Sequence, residues 1–169
     1  MKKLILGLFI FGLTSPLFAQ INDNVQELSE VTVVATNYKY LSQANSREAA
    51  VPVKMLQEKV ANFDLKSSPY YRDDYDFYDI TFFIPEGKIL AAYDRDGKVL
   101  RTVERYENSA LPREVITAVT KRFPGWTIAK DIYLVNYHET KGMKKRYKLR
   151  LENGDKTMWV KTDEKGNYI

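Results

Sequence analysis

YDITFFIPEGKILAAYDRDGKVL, residues 78–100, reads as two strands and two turns, and it recurs as YKLRLENGDKTMWVKTDEKGNYI at residues 147–169. The stretches align without a gap, Tyr78 on Tyr147, Ile80 on Leu149, Phe82 on Leu151, Asp94 on Asp163, Gly97 on Gly166 and Leu100 on Ile169. Tyr78, Ile80 and Phe82 alternate with Asp79, Thr81 and Phe83; Tyr147, Leu149 and Leu151 alternate with Lys148 and Arg150. A period of two with one apolar face predicts antiparallel strands covered on one side. Pro85-Glu-Gly87, Asp96-Gly97, Asn153-Gly154 and Lys165-Gly166 supply the turns.

Upstream of each copy lies a helical pattern. Val51-Pro52 opens the first, in which Val51, Met55, Leu56, Val60 and Phe63 form an apolar stripe with Lys54, Gln57 and Glu58 off it. Pro suits a first helical turn, where its missing N–H has no partner to lose. Leu111-Pro112, Val115, Ile116 and Phe123 repeat the pattern, although Lys59 then aligns with Val119 and Val60 with Thr120, so the two helices bury different stripes. Pro124-Gly125 ends the second helix. The expected fold is α+β: two repeats of a helix and an antiparallel meander, residues 51–106 and 107–169, forming one sheet with two helices packed on one face.

The repeats differ most between helix and strand pair. The second has a strand-like run, WTIAKDIYLVNY at residues 126–137, and a turn at His138-Glu-Thr-Lys-Gly142; the first has a link nine residues shorter, SSPYYRDDYD at 67–76. Function is expected where the copies diverge.

At the N-terminus, Lys2 and Lys3 precede an apolar run to Leu13 and then Ala19, the pattern of a signal peptide over residues 1–19. A membrane anchor is the alternative, against which the run is short and broken by Thr14, Ser15 and Pro16. The expected location is the periplasm or the exterior, with no transmembrane segment in the mature chain. Residues 20–50 hold a polar stretch, an expected edge strand at Glu30-Val-Thr-Val-Val-Ala35, and an irregular segment with helical character at residues 47–50. Without the leader about 150 residues remain, enough for one domain with a real core. No cysteine is present, so burial without disulfides must hold the fold, and thiol nucleophiles and Cys-based metal sites are excluded. Removing Lys2 and Lys3 leaves 24 basic residues against 22 acidic, a balance that gives no reason to expect nucleic acid.

Chemistry is sparse. His138 is the only histidine, which removes catalytic triads and two-histidine zinc motifs, and its place beside a turn reads as an exposed loop residue. No phosphate-binding glycine motif occurs. Asp94-Arg-Asp96-Gly97 is read as a hairpin turn, because placing Gly97 at the sixth position of a calcium loop leaves Ala92 and Val103 where carboxylates are required. Asp73, Asp74 and Asp76, with Asp79, form the densest acidic cluster, read as a solvated loop with weak calcium binding as its alternative. Tyr70, Tyr71 and Tyr75 stand among these aspartates and suit recognition, since tyrosine offers contact area at low entropic cost. Arg146, Lys148 and Arg150 share an outward strand face, read either as a solvated surface or as a steering patch for an acidic protein or lipid. Trp126 is expected to cap the core and Trp159 to face out of the sheet.

The run YDRDGKVLRT, then SALPREVITAVTKRFPGWTIAK, then YKLRLENGDKTMWVKTDEKGNY resembles the PepSY-like, beta-lactamase-inhibitor-like exported proteins of Bacteroidetes-type bacteria. The matching features are a D-x-D-G-K turn, a Leu-Pro-headed helix, a Phe-Pro-Gly-Trp exit and a closing meander, covering nearly all of residues 51–169. The resemblance implies a beta-lactamase-inhibitor-like fold and a non-catalytic role in binding or restraining another protein; it carries over no contact residues. The expected function is thus an exported protein-binding module without cofactor, bound metal or catalytic residues. Its partner is an unidentified periplasmic or envelope protein, met through Tyr70, Tyr71, Asp73, Asp74, Tyr75, Asp76, Arg146, Lys148, Arg150 and Trp159. The alternative is a small periplasmic enzyme, or a calcium-binding protein using Asp73, Asp74 and Asp76.

Overall fold

A computed structural model describes residues 37–44 and 49–169. The leader, the strand expected at Glu30–Ala35 and residues 45–48 lie outside the described residues. The fold is α+β. Helices α1 (Tyr38–Ala44) and α2 (Val51–Ala61) precede strands β1 (Phe77–Ile84), β2 (Gly87–Asp94) and β3 (Val99–Glu107). Helix α3 (Arg113–Arg122) then leads into β4 (Thr127–His138), β5 (Gly142–Asn153) and β6 (Lys156–Asp163). The strands form one antiparallel sheet in the order β1-β2-β3-β4-β5-β6, so neighbours in sequence are neighbours in space.

Alternation sorts the strand residues between the two faces. Tyr78 and Phe82, Ile89 and Tyr93, Tyr106, Tyr133 and Val135, Tyr147, Leu149 and Leu151 all enter one buried cluster, as register and parity require. Val53, Leu56 and Val60 of α2 and Val115 and Val119 of α3 belong to the same cluster. Each such aliphatic side chain contributes about 2 kcal/mol when fully buried. Tyrosines form a stacked row across the middle of this face, Tyr106 on Tyr133 at 5.9 Å and Tyr133 on Tyr147 at 4.7 Å.

The helices depart from the apolar stripe expected of them. Val51 is 68% and Met55 63% exposed, whereas α2 buries Val53, Leu56, Gln57, Val60 and Ala61. Apolarity alone misplaces the stripe because Gln57, counted as solvent-facing, is the residue that α2 turns into the core. Phe63 lies just beyond the helix and packs edge-on against Phe82 at 5.2 Å. In α3, Val115 and Val119 are buried and Ile116 is exposed. The two buried faces match when Leu56 and Val60 are set on Val115 and Val119, one residue away from the alignment that the Pro positions suggest. Of the helical character expected at residues 47–50, Ala49 and Ala50 are not helical and the other two lie outside the described residues; α1, which buries Tyr40 and Ala44, falls instead in the stretch read as irregular.

The two Asp-containing turns are built alike. The Asp94 carboxylate accepts the amide N–H groups of Asp96 and Lys98, at 3.0 and 2.9 Å, while Gly97 N–H donates to the Asp94 carbonyl and sits at φ 82°. Asp163 accepts from the amides of Lys165 and Asn167, both at 2.9 Å, and Gly166 takes φ 80°. These carboxylates serve their own turns; the Asn167 side chain and these amides hold the Asp163 carboxyl below its usual range.

Candidate functional site

The Tyr/Asp segment between α2 and β1 is ordered by hydrogen bonds within itself. Asp64 accepts from the Ser67 hydroxyl at 2.7 Å and its amide at 3.1 Å, which hold the Asp64 carboxyl below the usual range. Successive turns follow, Tyr71 N–H to the Ser68 carbonyl and Tyr75 N–H to the Arg72 carbonyl, both at 3.2 Å. The Tyr78 hydroxyl closes the segment by accepting the Arg72 N–H at 3.2 Å and donating to the Arg72 carbonyl. Tyr71 stacks on Tyr78 with ring centroids 5.8 Å apart, which withdraws it from the surface. Tyr70 and Tyr75 remain outside, 61% and 54% exposed. Their backbone is thus fixed before any partner arrives, which lowers the ordering cost of a contact.

Replacing Tyr78 by Phe removes both bonds to Arg72 but keeps the ring that Tyr71 stacks on. Hydrogen exchange is expected to show faster exchange across residues 67–76, with a loss of global stability of only about 1 kcal/mol. Unchanged exchange there would mean that the turns alone hold the segment.

Asp73, Asp74 and Asp76 are exposed, and among the described residues no group of three His, Cys, Asp or Glu side chains converges as metal ligation requires. The geometry therefore lends nothing to the calcium alternative.

Arg146, Lys148 and Arg150 do share a face, the one opposite the helices, as the burial of Tyr147, Leu149 and Leu151 between them dictates. Trp159 stands across from Arg150 on that face, with the Lys148 ammonium 4.5 Å from its ring centroid. Trp126 packs against the buried cluster. The sheet does not unite the two groups of candidates. The Tyr/Asp segment adjoins β1, and the basic strand lies four strands away, roughly 19 Å at about 4.8 Å per strand spacing. His138, at the end of β4, is exposed and its Nδ1 faces the Thr140 amide at 3.2 Å.

The most concentrated chemistry is a group that sequence reading missed. Glu104, on the helix-covered face of β3, is 1% exposed. Its Oε1 accepts from the Tyr40 hydroxyl at 2.9 Å and the Thr102 hydroxyl at 2.7 Å. Its Oε2 accepts from Gln57 Nε2 at 2.8 Å and the Tyr106 hydroxyl at 2.9 Å. One carboxylate thereby ties α1 and α2 to the sheet with no cation among its hydrogen-bond donors. Burial raises its proton affinity above the usual range, opposed by those four donors. Burial, and then Glu104 itself, raise Tyr40 and Tyr106 in turn. Asn37 is a second tie: its side chain donates to the carbonyls of Ala61 and Gly97, both at 3.1 Å, and accepts from Val99 N–H at 2.6 Å. The available signal was parity, since Thr102, Glu104 and Tyr106 must point the same way and Tyr106 is a core residue.

No protein-family model and no curated protein matches the chain, so its function is argued from these side chains.

Proposed function

We propose that the chain is a non-catalytic exported module that binds another protein of the periplasm or envelope and regulates or restrains it. In this reading residues 1–19 are a cleaved leader, and residues 51–169 are two diverged helix-plus-meander repeats in a PepSY-like, beta-lactamase-inhibitor-like fold. The like-built turns at Asp94 and Asp163 support duplication, and the order of motifs from Asp94 onward supports the family reading. β4 occupies in the second repeat the place that the Tyr/Asp segment takes in the first, which is where two copies that share a scaffold would diverge in use.

The observation that carries the proposal is the display of Tyr70 and Tyr75 on a backbone already locked through Tyr78. Exposed aromatics on a preorganised loop suit a protein contact, in which a few tyrosines supply most of the binding energy. Crosslinked pull-down from periplasm tests it, comparing wild type with Tyr70→Ala/Tyr75→Ala and leaving the structural Tyr71 in place. The expected result is a partner recovered by wild type and depleted about tenfold or more by the variant. Equal recovery by both proteins would remove the loop from the binding surface.

A further inference from the structure

The face of the sheet away from the helices carries more positive charge than a solvated strand surface calls for. Lys130, Lys144, Arg146, Lys148, Arg150 and Lys161 lie on it across β4, β5 and β6. Lys130 is directly opposite Arg150, and Lys148 directly opposite Lys161. Like charges directly across a strand pair destabilise a sheet, so a surface selected for solubility alone would alternate signs here. The carboxylates beside these cations answer Lys130 and Arg150 but leave the others. Glu107 pairs with Arg105 and Lys130 at 2.9 and 2.8 Å, Glu152 pairs with Arg150 at 2.9 Å, and Asp163, opposite Arg146, serves its own turn. Among the described residues no ion pair engages Lys144, Arg146, Lys148 or Lys161. Toward the other half of the sheet the same face sets Leu90 beside Val103, both exposed, with Lys88 opposite Arg105 on one side of them and Arg101, paired with Asp79, on the other.

We infer that this face is a docking surface for an acidic protein, whose carboxylates settle over Arg146, Lys148 and Lys161 and whose apolar side chains reach Leu90 and Val103. The inference rests on the reading of the chain as a protein-binding module and names the chemistry of its partner. A second copy stacked face to face would set these cations against themselves. An anionic bilayer fits less well: a twisted six-stranded sheet is not planar, and its exposed aromatics, Phe77 and Phe83 on β1 and Trp159 on β6, stand on opposite edge strands rather than on one rim. A protein surface that is acidic over β5 and β6 and offers apolar side chains at Leu90 and Val103 matches the arrangement in both charge and polarity.

Trp159 reports on the site directly. With Trp126→Phe it is the only indole, since the chain has two tryptophans. Poly-L-glutamate is expected to change Trp159 emission saturably, and the apparent affinity should weaken as salt screens the contact. Lys148→Glu/Lys161→Glu should weaken it about tenfold or more while thermal unfolding stays that of wild type; should that pair unfold, Lys144→Ser/Arg146→Ser makes the same comparison. Unchanged affinity in a folded variant overturns the proposal. So does a response to phosphatidylglycerol vesicles without one to poly-L-glutamate, which would make the face a lipid contact. Self-association abolished both by the charge reversals and by Tyr70→Ala/Tyr75→Ala also overturns it, since the occupant would then be the acidic loop of another copy. If the proposal fails while crosslinking still recovers a partner through Tyr70 and Tyr75, the binding function stands and only this face is excluded.

Discussion

Replacing Glu104 by Leu is expected to cost on the order of 4 kcal/mol, a large part of the roughly 5–15 kcal/mol that holds a domain folded. The side chain is 1% exposed and accepts from Tyr40, Gln57, Thr102 and Tyr106. Leucine would strand four donors, each costing about 1–3 kcal/mol when buried without a partner, and its own burial returns only about 2 kcal/mol. The damage should spread to both N-terminal helices, because Tyr40 belongs to α1 and Gln57 to α2. Glu104→Gln keeps an oxygen for two of the donors and should cost about half as much. Urea unfolding of the two variants measures the difference; equal small losses would mean that hydroxyl and amide rotation satisfies the donors without a carboxylate.

The same pair of proteins gives a pH dependence. The folded carboxyl lies above the ordinary glutamate value of 4.5, burial being the cause and hydrogen bonds from Gln57, Thr102, Tyr40 and Tyr106 the opposition. The folded state therefore holds the proton more tightly than the unfolded chain does. Below the unfolded value this preference contributes fully to stability, and it is lost as pH rises through the folded value. Gln57 Oε1, which has no hydrogen-bond partner, offers an acceptor for a protonated Glu104 once the amide turns over. Glu104→Gln cannot titrate, so the stability of wild type relative to it should fall as pH is raised from about 4 to about 8. A flat difference over that range would mean that the carboxyl titrates alike in the folded and unfolded states, the four donors offsetting burial.

The alternation of Tyr78 to Phe82 and of Tyr147 to Leu151, with glycine at the turns, made the antiparallel sheet legible, because strand parity follows from period two whatever the tertiary context. Helices α2 and α3 were legible as helices but not in their facing, and α1 was not foreseen: Met55 is apolar and exposed, while Gln57 is polar and buried. A hydrophobic pattern cannot reveal a polar residue that enters the core to meet another polar residue 47 positions away. Glu104, Tyr40 and Asn37 were hidden for that reason, each being affordable inside only because its partners come from other elements. The candidate site was half legible. Strand parity put Arg146, Lys148 and Arg150 on one face, but the cross-strand meeting of Lys148 with Lys161, and of Lys130 with Arg150, needed the register. Tyr71 was grouped with Tyr70 and Tyr75 by composition; it stacks on Tyr78 and is half-buried, whereas Tyr75 meets the same ring at a tilt, 6.1 Å away, and stays exposed.

The like-built turns that end β2 and β6 allow the second large effect to be argued by difference. Gly97 and Gly166 adopt the same left-handed conformation, φ 82° and 80°, in turns with the same Asp-centred hydrogen bonds. A Cβ on Gly97 would meet only the Leu65 Cβ at 3.7 Å, an ordinary contact. A Cβ on Gly166 would stand 2.6 Å from the Glu114 carbonyl oxygen and 2.9 Å from the Ala118 Cβ, so it cannot fit while α3 stays in place. Gly97→Ala should therefore cost about 1 kcal/mol, the strain of a side chain in that conformation. Gly166→Ala should cost that and a further 2 kcal/mol or so of overpacking against helix backbone. What gives way should be the clasp between α3 and the C-terminal segment, where Tyr168 donates to the Ala118 carbonyl at 3.1 Å, Phe123 meets its ring edge-on at 5.9 Å, and the Arg122 guanidinium lies 4.4 Å from the ring centroid. Urea midpoints give the two costs, and hydrogen exchange in α3 locates the second. Adding Ala118→Gly should recover only a little, because the carbonyl contact remains. Equal costs at the two glycines would mean that backbone conformation alone demands them, and that the chain near residue 166 has room to move away from α3.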